Sequence, residues 1–282
     1  MPIRSTAICT FVSSLALCVS LLATSAYAQS SEKIINVGTV INYPPLEFKD
    51  PKTGELTGFN HDLFEAMAKK AGFKVNWIEA AWVEQASFAP LRTGRVDVAT
   101  GDMFDTPERR ESGVSFIDFL SEPMYFYTLT AKADQFKDLA ALCGKRVANS
   151  RGSKAMLGTV ERWSQENCTK AGKPAVEQLE VASTAEQMLA LKQGRVDAGF
   201  TNASNFAASK MSDGDLLKQL GEPLGKFLLG FPVLATNTAL RDTLKKSLDQ
   251  VIADGTYAQL LNKWYLREDS SIGNSSTIDA GK

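Results

Sequence analysis

A two-lobed α/β fold is what this sequence predicts, each lobe a small mixed sheet flanked by helices and the two joined by crossing segments. Three observations predict it. First, Leu91-Arg-Thr-Gly94-Arg-Val-Asp97-Val-Ala-Thr-Gly-Asp102 is echoed by Leu191-Lys-Gln-Gly194-Arg-Val-Asp197-Ala-Gly-Phe-Thr-Asn202. Each reads as the tail of an amphipathic helix, a glycine stop, an Arg-Val-Asp turn and a short buried strand, which is one α/β unit. Chance likeness of two helix-to-strand turns is the alternative, because such short loops are common. Second, an extended run at 124–130 leaves the first unit and another at 227–236 returns to it. A lobe inserted between two crossings is the anatomy of a hinged clamp. Third, the two echoing strands end on polar residues, Asp102 and Asn202, and ligands of open α/β sheets sit beyond the carboxyl ends of strands. These two residues are expected to face each other across a cleft.

The elements follow in order. Residues 34–40 are apolar and rich in β-branched side chains, a buried first strand that Tyr43-Pro44-Pro45 ends in a stiff loop. Residues 52–55 form a turn. Asn60 then caps a helix with Leu63, Phe64, Met67 and Ala68 on one face, stopped by Gly72. A strand at 74–78, a helix at 83–93 and a strand at 96–100 complete the first set. Thr106-Pro107-Glu108 has a capping threonine and a proline at the first helical position. The inserted lobe contains a strand at 146–149, a helix entered at Ser153 and a helix around Met188, Leu189 and Leu191. After the return, Leu240, Leu244, Leu248 and Val251 mark one helix, and residues 257–265 follow Gly255 as another. These readings assign 33–130 plus 231–266 to lobe 1 and 131–230 to lobe 2. The polar, Ser-rich tail at 267–282 reads as disordered.

Residues 1–28 stand apart. Arg4 gives a basic start, residues 16–23 are mostly apolar, and Ala26-Tyr27-Ala28 matches the small-x-small cleavage pattern of a secretory signal peptide. Cys18 raises a lipid-anchor alternative, but Leu17 stands before it where a small residue is wanted. Removing the leader takes one basic residue away and leaves 30 basic against 32 acidic residues. That balance gives no footprint for nucleic acid or for an anionic membrane surface. Two cysteines remain, Cys143 and Cys168, and an exported chain favours their pairing as a disulfide; two independent buried thiols are the alternative. His61 is the single histidine, which argues against a His-based metal site, a Cys-His pair or a Ser-His-Asp triad.

The order of Tyr43-Pro44-Pro45, Gly58-Phe59-Asn60-His61-Asp62-Leu63, Gly94-Arg95-Val96-Asp97, Thr106-Pro107-Glu108-Arg109, Arg151-Gly152-Ser153, Gly194-Arg195-Val196-Asp197 and Ala253-Asp254-Gly255-Thr256-Tyr257 resembles the periplasmic solute-binding proteins of family 3, the amino-acid-binding components of ABC importers. The resemblance spans nearly the whole chain after the leader. It implies the type II, two-lobed periplasmic-binding-protein fold, capture of a small polar solute by hinge closure, a transient membrane permease partner and a monomer without cofactor. It also implies a site. Tyr43 and Trp82 fall where members sandwich the ligand between aromatics, and Arg109 matches the arginine that grips the ligand α-carboxylate. Ser153 and Lys154 match positions binding the same carboxylate. Asn202 stands where an aspartate usually receives the α-ammonium, while Asp102 and Phe104 occupy positions usually small, hydroxylated or glycine. Val40 replaces the acidic residue of members that select lysine- or arginine-like side chains.

Each residue has a plainer reading beside this one. Tyr43 and Trp82 could be core aromatics, though Tyr43 lies in a loop and Trp82 at a strand end, and loops on a rigid scaffold favour function. Arg109 in a first helical turn opposes the dipole unless an anion is near, whereas a surface arginine would be solvated. Ser153 is also a good N-cap, and Lys154 an ordinary exposed lysine. Asp102 either caps the following turn or meets a cation, because an unpaired carboxylate at a buried strand end is costly. With asparagine at 202, Asp102 could take over the ammonium, inside a partly aromatic box of Tyr43, Trp82 and Phe104. Asp97 and Asp197 read as loop caps. Two other functions share this scaffold: a dehydratase of the cyclohexadienyl type, with Asp102 and Lys154 as acid and base, and a sensor that presents its ligand to a receptor.

Overall fold

The computed structural model describes Met1 and residues 33–281 except Gly152, and describes Lys154 without its side chain. The remainder of the expected leader, with Cys18, lies outside the described residues. Strand β1 (Lys33–Thr39) is followed by a small antiparallel sheet of β2 (Asn42–Tyr43), β3 (Glu47–Lys49) and β4 (Leu56–Thr57). Helix α1 (Phe59–Ala71) starts from Gly58, not from Asn60 as the sequence led one to expect. Asn60 is buried in the first turn, and its amide donates to the Gly101 carbonyl at 3.4 Å instead of capping. Strands β5 (Phe73–Glu79) and β6 (Val98–Ala99) flank β1 in parallel. Between them the expected single helix is two short ones, α2 (Trp82–Ala86) and α3 (Ala89–Arg92). Phe88 turns left-handed at φ 56° with its ring buried, and Pro90 has no N–H to continue a helix from α2.

After α4 (Pro107–Arg110), the 16-residue strand β7 (Val114–Leu129) carries the chain into the second lobe. There β8 (Arg146–Ser150), α5 (Lys154–Asn167), β9 (Glu177–Val181), α6 (Thr184–Lys192), β10 (Ala198–Asn202) and α7 (Ala203–Asp213) alternate. The 18-residue strand β11 (Leu217–Leu234) runs back antiparallel to β7 and leads to α8 (Thr238–Ala253) and α9 (Thr256–Lys263).

The two sheets mirror each other. Lobe 2 has the order β9-β8-β10-β7-β11, with β10 antiparallel to β7. Lobe 1 has β5-β1-β6, and residues 103–105 extend it onto β11 through Asp105 N to Leu228 O at 2.8 Å and Gly230 N to Met103 O at 3.1 Å. Each long strand therefore lies inside its partner in one lobe and outside it in the other. Packing divides them sharply. Ile117, Phe119 and Leu120 join the first core, whereas Met124 and Phe126 join the second. The first crossing thus falls at residues 121–123, upstream of the expected boundary after 130, because the apolar run 124–129 already belongs to lobe 2. On β11 the change lies between Phe227 and Leu229. Phe119 stacks on Phe231 at 4.0 Å across the two strands in lobe 1, and burial of each such side chain contributes about 1.5–3 kcal/mol.

The echoing turns do the same work twice. Gly94 and Gly194 end their helices in the left-handed region at φ 72° and 68°. Asp97 then accepts the β1 amide of Asn36 at 2.8 Å, and Asp197 accepts the β8 amide of Arg146 at 3.1 Å. Each aspartate ties the turn to the neighbouring parallel strand, which accounts for both without a ligand.

The tail is ordered, contrary to its composition. Strand β12 (Thr277–Ile278) pairs with β7 opposite Asp118 and Ile117. Its hydroxyls and amides meet carboxylates of lobe 1, so polar residues find buried acceptors where an apolar core would offer none. Cys143 and Cys168 form a disulfide with Cα atoms 5.4 Å apart, tying the start of lobe 2 to the end of α5. Closing this loop constrains the unfolded chain by roughly 3 kcal/mol. Thiol titration of the denatured, unreduced protein is expected to find neither thiol of this pair, and two reactive groups would contradict the bridge.

Candidate ligand-binding site

The carboxyl ends of β1 and β6, the loop after β1 and the start of α4 converge in lobe 1. Tyr43 ends β2, just before the two prolines, and its hydroxyl donates to Asp102 Oδ2 at 2.9 Å. The other oxygen of Asp102 is enclosed and has no protein donor. The turn-cap reading of Asp102 is therefore replaced by a contact to a different loop. Arg109 is half-buried, with a backbone amide that bonds the Thr106 cap at 3.3 Å and a guanidinium that donates to the Phe104 carbonyl at 2.9 Å. One bond holds the guanidinium beside Asp102 and leaves most of its donors for another partner.

Trp82 covers the backbone here. Gly101 has φ +128°, and a Cβ placed there would lie 3.0 Å from the Trp82 ring, so only glycine lets the indole close down. Trp82 is 40% exposed, which removes it from the core aromatics. Beside it opens a pocket of about 410 Å³ lined by Val40, Ile41, Asn42, Glu79, Ala80 and Ala81. Phe104 bridges to Leu229 in the backbone ladder and packs on Phe227 at 5.0 Å, so its ring faces the crossing strands.

Two buried carboxylates that the sequence reading did not single out stand next to these groups. Glu47 accepts the Thr39 hydroxyl at 2.7 Å and the Thr100 hydroxyl. Glu122, at the crossing in β7, accepts the Ser204 amide of α7 at 3.1 Å. The signal for Glu122 was present: an acidic residue inside a mostly apolar run is costly unless something answers it.

Burial drives the electrostatics. It pushes Asp102 up to about 6, against the Tyr43 hydrogen bond and the charge of Arg109. It pushes Glu47 up to about 7, against its bonds from Thr100 and Thr39. Burial and then the charge of Asp102 push Glu122 up to about 8. Tyr43 is raised well above the usual phenol range by burial, Asp102 and Glu122, whereas burial lowers Arg109 and Asp102 opposes that. A carboxylate raised by folding stabilises the protein below its unfolded pKa and loses that contribution as pH rises through the folded value. Exposed carboxylates such as Asp254, pulled down by Lys70, are already ionised in this range. The ligand-free protein is therefore expected to lose stability between about pH 5 and 8 in urea titrations, by a few kcal/mol. Glu122→Gln, which keeps the Ser204 acceptor, should flatten the upper part of that fall; an unchanged profile would exclude Glu122 as its source.

In lobe 2, Asn202 is buried at the end of β10 and accepts the Asn205 amide at 3.2 Å as the N-cap of α7. Ser153 is the N-cap residue of α5, yet its hydroxyl makes no capping bond, so the first amides of α5 stay available to an anion. The structure thus brings Tyr43, Asp102, Phe104 and Arg109 together with Trp82 over Gly101. Ser153 and Asn202 sit at separate helix entrances of lobe 2, and among the described residues no bond joins either to that group. Lys154 begins α5, and its side chain lies outside the description.

Residues 35–267 match the bacterial extracellular solute-binding proteins, family 3. The chain is 30% identical to a probable histidine-binding protein of Campylobacter jejuni over 82% of this chain and 85% of that one. It is 27% identical to ABC transporter arginine-binding protein 1 of Escherichia coli, over 87% and 96% of the two chains. The crystal structure of ytmK from Bacillus subtilis, a probable amino-acid ABC transporter extracellular-binding protein, shares the fold with a TM-score of 0.71 at 24% identity, covering 83% and 97%. All three are named as binding proteins rather than enzymes. Among the described residues no helix is long and apolar enough to cross a membrane, and no group of acidic, histidine and cysteine side chains is arranged to hold a metal ion. With its mirrored lobes, two crossing strands and a match over nearly the whole described chain, this protein belongs to the bacterial extracellular solute-binding proteins of family 3.

Proposed function

We propose that the protein is the periplasmic substrate-binding component of an amino-acid ABC importer, capturing a compact zwitterion or amine-bearing solute by hinge closure and presenting it to a membrane permease. The leader at 1–28 would deliver it to the periplasm. The single observation that carries this reading is the convergence of opposite charges in lobe 1. Asp102 has one enclosed oxygen without a protein donor beside Arg109, whose guanidinium has donors to spare, so a carboxylate and, once the groups enclosing Asp102 move aside, an ammonium each find a partner. The amides at the start of α5 supply a second carboxylate grip when lobe 2 closes. The relatives named for histidine and arginine support an α-amino acid as the class. The pocket beside Trp82 narrows it, because Val40, Ile41, Ala80 and Ala81 are apolar, Glu79 is paired with Lys49, and Asn42 is polar but uncharged. An uncharged, apolar side chain fits that lining better than a basic one.

A thermal-shift screen tests the reading with the L-amino acids, their decarboxylated amines, betaines and small dicarboxylates. An apolar L-amino acid at about 100 times its dissociation constant should add roughly 2.7 kcal/mol to stability, and its amine alone should add less. A screen in which only dicarboxylates act, or no compound acts, would overturn it.

A further inference from the structure

The family match ends at residue 267, yet the following residues return to the ligand loop. Strand β12 covers the outer edge of β7 in lobe 1, and its neighbours are fastened at every step. Ser276 donates through its amide to Asp249 at 2.7 Å, and Thr277 donates its hydroxyl to Asp118 at 2.7 Å. Asp279, in the left-handed region at φ 54°, accepts the Phe116 amide at 2.7 Å and the Ser115 hydroxyl at 2.8 Å. The last contacts reach the loop itself. Gly281 N donates to Asp105 Oδ2 at 2.7 Å, Arg110 donates to the Gly281 carbonyl at 2.9 Å, and Arg110 is ion-paired with Asp105.

Asp105 and Arg110 bracket the segment that bears Arg109. Apart from the ladder bond of Asp105 N to Leu228 O at its start and the Thr106 cap, that segment is lightly held, since α4 has four residues and buries none of them. We infer that residues 276–281 form a strap that positions Arg109, fixing both ends of its loop from outside so that the guanidinium stays over the Phe104 carbonyl and beside Asp102. Asp279 and Gly281 are positioning residues in this sense, acting on the ligand only through Arg109. The inference rests on the proposed reading for its functional meaning, while the mechanical part stands independently.

Hydrogen exchange decides the mechanical part without any ligand. A chain shortened to end at Asn274 should exchange the Arg109, Arg110, Glu111 and Gly113 amides about tenfold faster, with β8, β9 and α5 unchanged. Asp279→Ala should do the same, and Asp279→Asn, which keeps one acceptor, should restore most of the protection. Unchanged exchange in the Arg109 segment would overturn the strap, and so would faster exchange spread evenly over both lobes, which marks general destabilisation. Calorimetric titration with L-leucine and isopentylamine tests the functional part. The shortened chain should lose about tenfold in affinity for L-leucine and hold its affinity for the amine within about twofold; equal losses for both would overturn positioning toward the carboxylate. Failure of L-leucine to bind the full chain would count against the proposed ligand class alone, with the exchange result still deciding the strap.

Discussion

Replacing Arg109 by alanine is expected to weaken a carboxylate-bearing ligand by roughly 2–5 kcal/mol, the usual cost of removing one partner from a desolvated charge pair. The guanidinium is half-buried and held by one bond to the Phe104 carbonyl, so it arrives with its direction already set and loses little freedom on binding. Burial that lowers its proton affinity also strengthens any anion it meets. Arg109→Lys keeps the charge but cannot form the two-pronged contact, and should recover only part of the loss. Calorimetric titration of the three proteins with an amino acid found by the screen measures this. Equal affinity in Arg109→Ala would place the carboxylate elsewhere.

Asp102→Asn should cost a cationic or zwitterionic ligand a few kcal/mol, as expected when a charged hydrogen bond is left without its counter-charge. The variant keeps the shape and the acceptor for Tyr43. Since Asp102 is raised to about 6 by burial, the wild-type affinity for such a ligand should climb as pH rises through that value and Asp102 ionises. The Asp102→Asn protein should lack that climb, although Glu47, Glu122 and Tyr43 surround the position and still titrate. Adding Asn202→Asp to it should restore part of the affinity if both positions serve one ammonium, and the new carboxylate can still cap α7. A double variant no tighter than Asp102→Asn would separate the two positions.

Much of this was legible because it is local. The glycine stops at Gly94 and Gly194, the cap at Thr106 and the spacing of Leu240, Leu244, Leu248 and Val251 report their own surroundings. What the sequence hid depends on partners far along the chain. The tail looks disordered because its acceptors, Asp105, Asp118 and Asp249, lie 26 to 176 positions away. Strand β9 carries Glu177 and Glu180 and lacks a clean alternation, and α7 is rich in alanine and serine, so neither shows a period. At the site, Tyr43, Trp82 and Arg109 were singled out because they fall where the resembling family places its ligand contacts, and the structure sets them near one another at the end of β2, the start of α2 and within α4. The role of Asp102 was ambiguous, because a turn cap and a partner for a distant tyrosine look identical until the Tyr43 loop is folded beside it.

The exchange of places between β7 and β11 has a consequence for how the chain assembles from its amino end. Every core residue of lobe 2 lies between Met124 and Phe227, a continuous stretch that can close on itself. Lobe 1 cannot. Its core needs Leu229, Phe231 and Val233 and then Leu244, Leu248, Tyr257 and Leu261, synthesised long after Ile35 and Val37. The insert thus holds its whole core in one continuous stretch, whereas the core of lobe 1 closes only across that insert, at the entropy cost of its longest loop.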